Sequence, residues 1–191
     1  MHWLFFDSES ARKLDEAGFF YDSTFGYNET VGYRAGTTQG FRPFGTKCLL
    51  ELPLHVMDTA LFYPSHLHFS EEQAMTRVNG MVDDMRQFGG ALVINWHDRS
   101  IAPERLWDDF YVQLVAKLKA TGAWFCTASQ AAACLPSVCC DNGHTRFAKK
   151  SPDGWRYNDF SELSQSIAIL SRLRVPRTQA GRFPGCVPQS I

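Results

Sequence analysis

The run Gly89-Gly90-Ala91-Leu92-Val93-Ile94-Asn95-Trp96-His97-Asp98 passes from apolar residues to a histidine beside an aspartate. An imidazole with an unperturbed pKa of about 6.5 can hold a proton and release it near neutrality, so His97 suits general acid–base work. The rival reading is a strand-end histidine hydrogen-bonded for structure. Asp22, Asp58 and Asp98 each follow a short apolar stretch, which would bring each carboxylate to the end of a strand. Arg34, in Gly32-Tyr33-Arg34-Ala35-Gly36-Thr37, is the cation to single out, with a solvated loop arginine as the alternative. His66 and His68 form an H-x-H pair, which can bind zinc when both rings share a side. No third ligand is in view, and surface histidines are the alternative.

The elements that must position these groups follow from periodicity. Residues 91–96 suit a strand buried on both faces, whose carboxyl end presents His97 and Asp98. In α/β folds with parallel strands, ligand and catalytic groups gather at that end. Ser70 to Phe88 is the clearest helix, with Ser70 and Gln73 as a capping box and Ala74, Val78, Met81, Val82, Met85 and Phe88 at helical spacing. The pattern further predicts a helix from Pro103 to Thr121, a strand at 123–127 and a short helix from Ser129 to Cys134.

Toward the N-terminus, Leu4-Phe5-Phe6 reads as the end of a strand and Ser8 to Gly18 as a serine-capped helix. Phe19-Phe20-Tyr21 is a second strand, and residues 49–54 form a third with Pro53 near its end. Residues 25–48 form a long glycine-punctuated loop whose aromatic content argues against disorder. Alternation of strand and helix over residues 4–134 predicts a parallel α/β domain. Beyond Pro136, Asn142-Gly143 and Asp153-Gly154 signal hairpins and Ser166 to Val175 alternates as a strand. Residues 136–175 are therefore read as a small β appendage and 176–191 as a flexible tail.

The 191 residues, 45% hydrophobic, suffice for one well-cored domain, and a net charge of −1 argues against a nucleic-acid or acidic-membrane partner. No run approaches the roughly 20 apolar residues of a transmembrane helix, and the first residues lack signal-peptide features, so a cytoplasmic chain is expected. The six cysteines show no C-x-x-C pair, and reduced thiols are expected.

Tyr21-Asp22-Ser23-Thr24, Gly32-Tyr33-Arg34-Ala35-Gly36-Thr37, Glu51-Leu52-Pro53-Leu54 with Met57-Asp58, and Asn95-Trp96-His97-Asp98 occur in this order. In that order the chain resembles the NodB-type polysaccharide deacetylases over about residues 2–135. The resemblance implies an α/β fold, a partial distorted (β/α) barrel carrying the small C-terminal β appendage. It implies hydrolysis of the N-acetyl amide, a non-peptide C–N bond, of a carbohydrate. His97 would be the general acid, Arg34 the partner of a base aspartate, and Asp58 the acidic residue that tunes the histidine. Asp98 would shape the loop, and Tyr33 and Trp96 would contact the substrate.

Such enzymes use a divalent metal, zinc or similar, held by an aspartate and two histidines from early motifs. Nothing like those motifs precedes the matching region, so the metal ligands are expected to be missing and the chain to be an N-terminally truncated deacetylase, weakly active or inactive as it stands. A (β/α) barrel needs about 250 residues, and the α/β part here has roughly half. Exposed half-barrel edges would then be open to self-association. The alternative from another class is a non-catalytic carbohydrate- or partner-binding module whose aromatic loop stacks on sugar rings. A substitute metal site built from His55, His66 and His68 ranks last.

Overall fold

The computed structural model describes residues 2–102, 105–134 and 165–169. A 3₁₀ turn, His2–Leu4, precedes α1 (Ser10–Glu16) and β1 (Tyr21–Asp22), and the long loop then leads to β2 (Leu50–Glu51) and β3 (Leu54–Met57). Then follow α2 (Asp58–Phe62), α3 (Glu71–Phe88), β4 (Ala91–Asn95), a 3₁₀ turn at Asp98–Ser100, α4 (Asp108–Ala120), β5 (Trp124–Cys126) and α5 (Ala128–Cys134). The last described element is β6 (Gln165–Ile169). β1 and β2 pair in parallel, and the second sheet runs β3-β4-β6-β5. The described strands leave both sheets open, with no closed barrel among them.

β4 is the central strand in the physical sense. Leu92 and Ile94 enter one core cluster with Ala74, Val78, Met81 and Met85 of α3 and Phe110, Leu114 and Leu118 of α4. Ala91 and Val93 enter a second cluster with Leu52, Leu54 and Ala131. Alternation along a strand sends successive side chains to opposite faces, and here both faces are buried, which explains the unbroken apolar run. Burial of each Leu or Ile contributes roughly 1.5–3 kcal/mol. α3 starts where the sequence signals it: Gln73 N–H donates to Ser70 Oγ (3.2 Å), and Ser70 N–H donates to Gln73 Oε1 (2.9 Å).

Gly90 fixes how α3 hands over to β4. Its φ is +126°, and a Cβ there would lie 2.2 Å from the Thr38 carbonyl oxygen. That carbonyl accepts the Ala91 N–H (3.0 Å), and Thr38 Oγ1 donates to the Gly89 carbonyl (2.7 Å). The long loop is thereby pinned to the start of the central strand.

Several local expectations are corrected. Residues 4–6 form no strand: Trp3 and Leu4 take φ of 58° and 55°, which an extended chain cannot adopt, and the Phe6 ring stacks on Phe25 at 4.2 Å. α1 is not capped by serine; its N-cap is Glu9, and the Asp7 carboxylate accepts from Glu9 N–H and Ser10 Oγ. The 49–54 strand is split at Leu52-Pro53 into β2, which pairs with β1, and β3, which pairs with β4 in the other sheet. α4 starts at Asp108 and not at Pro103, since Leu106 holds φ 57°, a left-handed value no right-handed helix passes through. Cys48 is disulfide-bonded while Cys126 is a free thiol, so reduced cysteines throughout do not describe the chain. Disulfide pairing depends on approach in space and not on spacing.

Gln165–Ile169 pairs antiparallel with both β4 and β5 inside the main sheet. The remainder of 136–175, and the tail at 176–191, lie outside the described residues. Among the described residues no helix is long and apolar enough to cross a membrane.

Candidate active site

β3 and β4 are parallel neighbours, with Met57 opposite Asn95 at their carboxyl ends. Asp58 is the next residue after Met57 and opens α2; His97 lies two residues beyond Asn95 and precedes the 3₁₀ turn. Two positions 39 apart in sequence are thus delivered to one spot by strand register. His97 Nδ1 lies 2.6 Å from Asp58 Oδ1, and the His97 backbone N–H donates to Asp58 Oδ2 at 2.9 Å. Asp58 Oδ1 also accepts the Thr59 N–H at 2.7 Å.

Asp58 is fully buried, whereas the His97 side chain keeps 33% of its surface exposed. A buried carboxylate is tolerable only when hydrogen-bonded, and three donors on its two oxygens meet that condition. A carboxylate only accepts, so the ring nitrogen facing it is the protonated one. Nε2 is left as the nitrogen that can exchange a proton with a substrate. Asp58 therefore fixes the tautomer and orientation of His97, a geometry like that between the acidic member of a catalytic triad and its histidine.

The other expected site residues fall in distinct places. Asp98 is exposed, and its Oδ1 accepts the Arg99 N–H at 2.6 Å in the turn after His97. Trp96 is 1% exposed, its ring parallel to Phe110 at 5.8 Å and against Tyr111 at 5.1 Å, so its ring packs in the core. Tyr33 is half-buried on α3, where its hydroxyl bonds the Met81 carbonyl (3.2 Å) and Asp84 (3.1 Å). Arg34 donates to the Gly26 carbonyl at 2.6 Å and lies over the rings of Phe6 (4.6 Å) and Tyr27 (5.8 Å). Its guanidinium meets no carboxylate among the described residues. The structure thus joins His97 to Asp58 and leaves Arg34 and Tyr33 in contacts of their own.

His55 has a structural task. The β3–β4 register shifts between Leu54 and Val56, and the Val93 N–H points instead at His55 Nδ1 (3.4 Å). His55 Nε2 meets the Thr37 carbonyl at 3.3 Å, and the His55 carbonyl accepts the Gly32 N–H at 3.0 Å. One imidazole thereby ties the glycine-rich loop to the sheet. Burial pushes it down to about 4, so it stays neutral near pH 7. Glu51, almost wholly buried, is pushed up to about 7 by burial, aided by the charge of Asp22 and opposed by the Phe25 N–H that donates to its Oε1.

A second group lies next to the dyad, and of its members only His66 stood out in the sequence. The Thr59 carbonyl accepts from His66 Nδ1 (2.9 Å), and the His66 ring packs against Tyr63 at 5.7 Å. Tyr63 in turn meets Trp107 at 5.6 Å, with Arg105 above both. The only signal for this group is an aromatic or basic residue soon after each strand end. Among the described residues no three His, Cys, Asp or Glu side chains converge to hold a metal ion, the His55, His66 and His68 combination included. The described residues therefore do not fit a metal centre by themselves. Comparisons with protein-family models, with curated proteins and with solved structures returned no match.

Proposed function

We propose that the chain carries the proton-transfer half of a carbohydrate de-N-acetylase, a hydrolase of non-peptide C–N bonds, incomplete as the chain stands. His97, in its imidazolium form, gives the Nε2 proton to the nitrogen that departs as the acetyl C–N bond breaks. Asp58 holds the ring and offsets its charge. The observation that carries this reading is the buried Asp58 carboxylate bonded to both Nδ1 and the backbone N–H of a half-exposed histidine at adjacent parallel strand ends. The divalent ion of such an enzyme is not assigned to any of the described residues, and no step is derived through it.

Two further features support an incomplete barrel. β1 pairs on one side only among the described strands, and Phe19 and Phe20, which lead into it, are 55% and 68% exposed. An open edge lined by aromatic rings favours self-association or cover by another segment.

The test is acetate release from N-acetylated chitohexaose, with zinc present, by the chain carrying whatever residues precede Met1 in its reading frame. His97→Ala should lower the rate about 10²–10⁴-fold, the usual worth of a general acid. An unchanged rate in His97→Ala would sink the assignment. Absence of release together with tight glycan binding would favour the non-catalytic binding module.

A further inference from the structure

We infer that Arg105, presented by Tyr63 and Trp107 beside the His97 turn, is an anion-recognising residue that selects carbohydrates bearing a carboxylate. The inference rests on the carbohydrate reading above for its ligand class and on the following geometry for its chemistry. The Arg105 guanidinium carbon lies 4.7 Å from the centre of the Tyr63 ring and 5.3 Å from that of Trp107. Its Nη1 reaches Ser100 Oγ at 3.5 Å, a long contact, and no carboxylate pairs with it among the described residues. Ring contacts engage the charge of the guanidinium and not its five N–H donors, of which only one at Nη1 is directed at a described partner, Ser100 Oγ. The planar fork of these donors matches a carboxylate bidentately, which a lysine ammonium does not.

The position is tied to the dyad from both sides. Ser100 is fully buried and its N–H donates to the His97 carbonyl at 3.0 Å. Tyr63 packs on His66, which bonds the Thr59 carbonyl, and Thr59 in turn donates to Asp58. Tyr63, His66, Arg105 and Trp107 are all partly exposed, as a recognition surface requires. The backbone between the stacked pair is also held in an uncommon conformation: Leu106, 69% exposed, takes φ 57° between Arg105 and Trp107. A left-handed leucine gains nothing from burial there, and its geometry lets the guanidinium fold back over the next aromatic ring.

Calorimetric titration of the full chain at low salt tests this with two probes of equal length. One is a hexasaccharide alternating N-acetylglucosamine with glucuronate, and the other is neutral chitohexaose. The wild type should bind the anionic probe about tenfold more tightly, a preference that Arg105→Gln abolishes and Arg105→Lys partly keeps, with chitohexaose affinity unchanged in both. Equal affinities in the wild type, an intact preference in Arg105→Gln, or no binding of either probe would overturn it. Should Arg105→Gln fail to fold, the wild-type comparison and Arg105→Lys decide the matter. A wild type that shows the preference supports the anion site whichever way the acetate-release test of the hydrolase reading falls.

Discussion

His97 and Asp58 are bonded twice: Nδ1 to Oδ1 at 2.6 Å and the backbone N–H to Oδ2 at 2.9 Å. The second bond locks the chain that carries the ring, and the first locks the ring. Orientation and tautomer are thus set by one buried carboxylate, which makes Asp58 a positioning residue for whatever His97 does.

Removal of that carboxylate should be felt in stability as well as in activity. Asp58→Ala leaves the His97 N–H, the Thr59 N–H and His97 Nδ1 without their acceptor, at a cost of about 3 kcal/mol or more. Asp58→Asn keeps the shape and one acceptor oxygen, so it should fold more stably than Asp58→Ala. Urea midpoints of the two variants check the order; a midpoint for Asp58→Ala equal to wild type would count against the network.

The pH dependence of stability should have opposed limbs. His55 is lowered from 6.5 to about 4, so the unfolded chain binds its proton more readily. Its contribution is complete above about 6.5 and is lost as pH falls toward 4. Glu51 is raised from 4.5 to about 7, so its contribution is complete below about 4.5 and is lost as pH rises through 7. Each limb is on the order of 3 kcal/mol. Urea unfolding from pH 4 to 8 should show Glu51→Gln gaining stability relative to wild type as pH rises; a constant difference would contradict the assignment.

Gly90→Ala should destabilise by about 2 kcal/mol or more, since the φ of +126° and the 2.2 Å approach to the Thr38 carbonyl both exclude a methyl group. Thermal melts provide the check, and Gly80→Ala, at a helical glycine with open space around it, is the control.

Trp96→Ala should behave as a core deletion, costing about 3–5 kcal/mol. Trp96→Phe, which keeps an apolar ring and removes an indole N–H that has no partner among the described residues, should cost less. A loss of glycan affinity without loss of stability in either variant would return Trp96 to the substrate site.

The parts legible in the sequence were those fixed by local pattern. The capping box and helical spacing of α3, the doubly buried run of β4 and the polar end at His97 all follow from residues close together in the chain. Asp58 was singled out through its motif and its place after a strand. Its contact with His97 depends on register between two strands and could not be read from spacing. Trp96 illustrates the opposite limit, because alternation past a strand's last paired residue does not say which face the next ring takes. His55 was ambiguous for another reason: a bulge between Leu54 and Val56 turned it into a ladder substitute. Arg105 carried no motif, and its presentation depends on the left-handed Leu106, which no propensity predicts for leucine.

The most direct test of the central claim is the tautomer of His97, read from long-range ¹H–¹⁵N correlations of the neutral imidazole in wild type and Asp58→Ala. The wild-type ring should be protonated at Nδ1 with Nε2 bare, and Asp58→Ala should lose that fixed tautomer. A wild-type ring protonated at Nε2, or an identical spectrum in the variant, would contradict that claim.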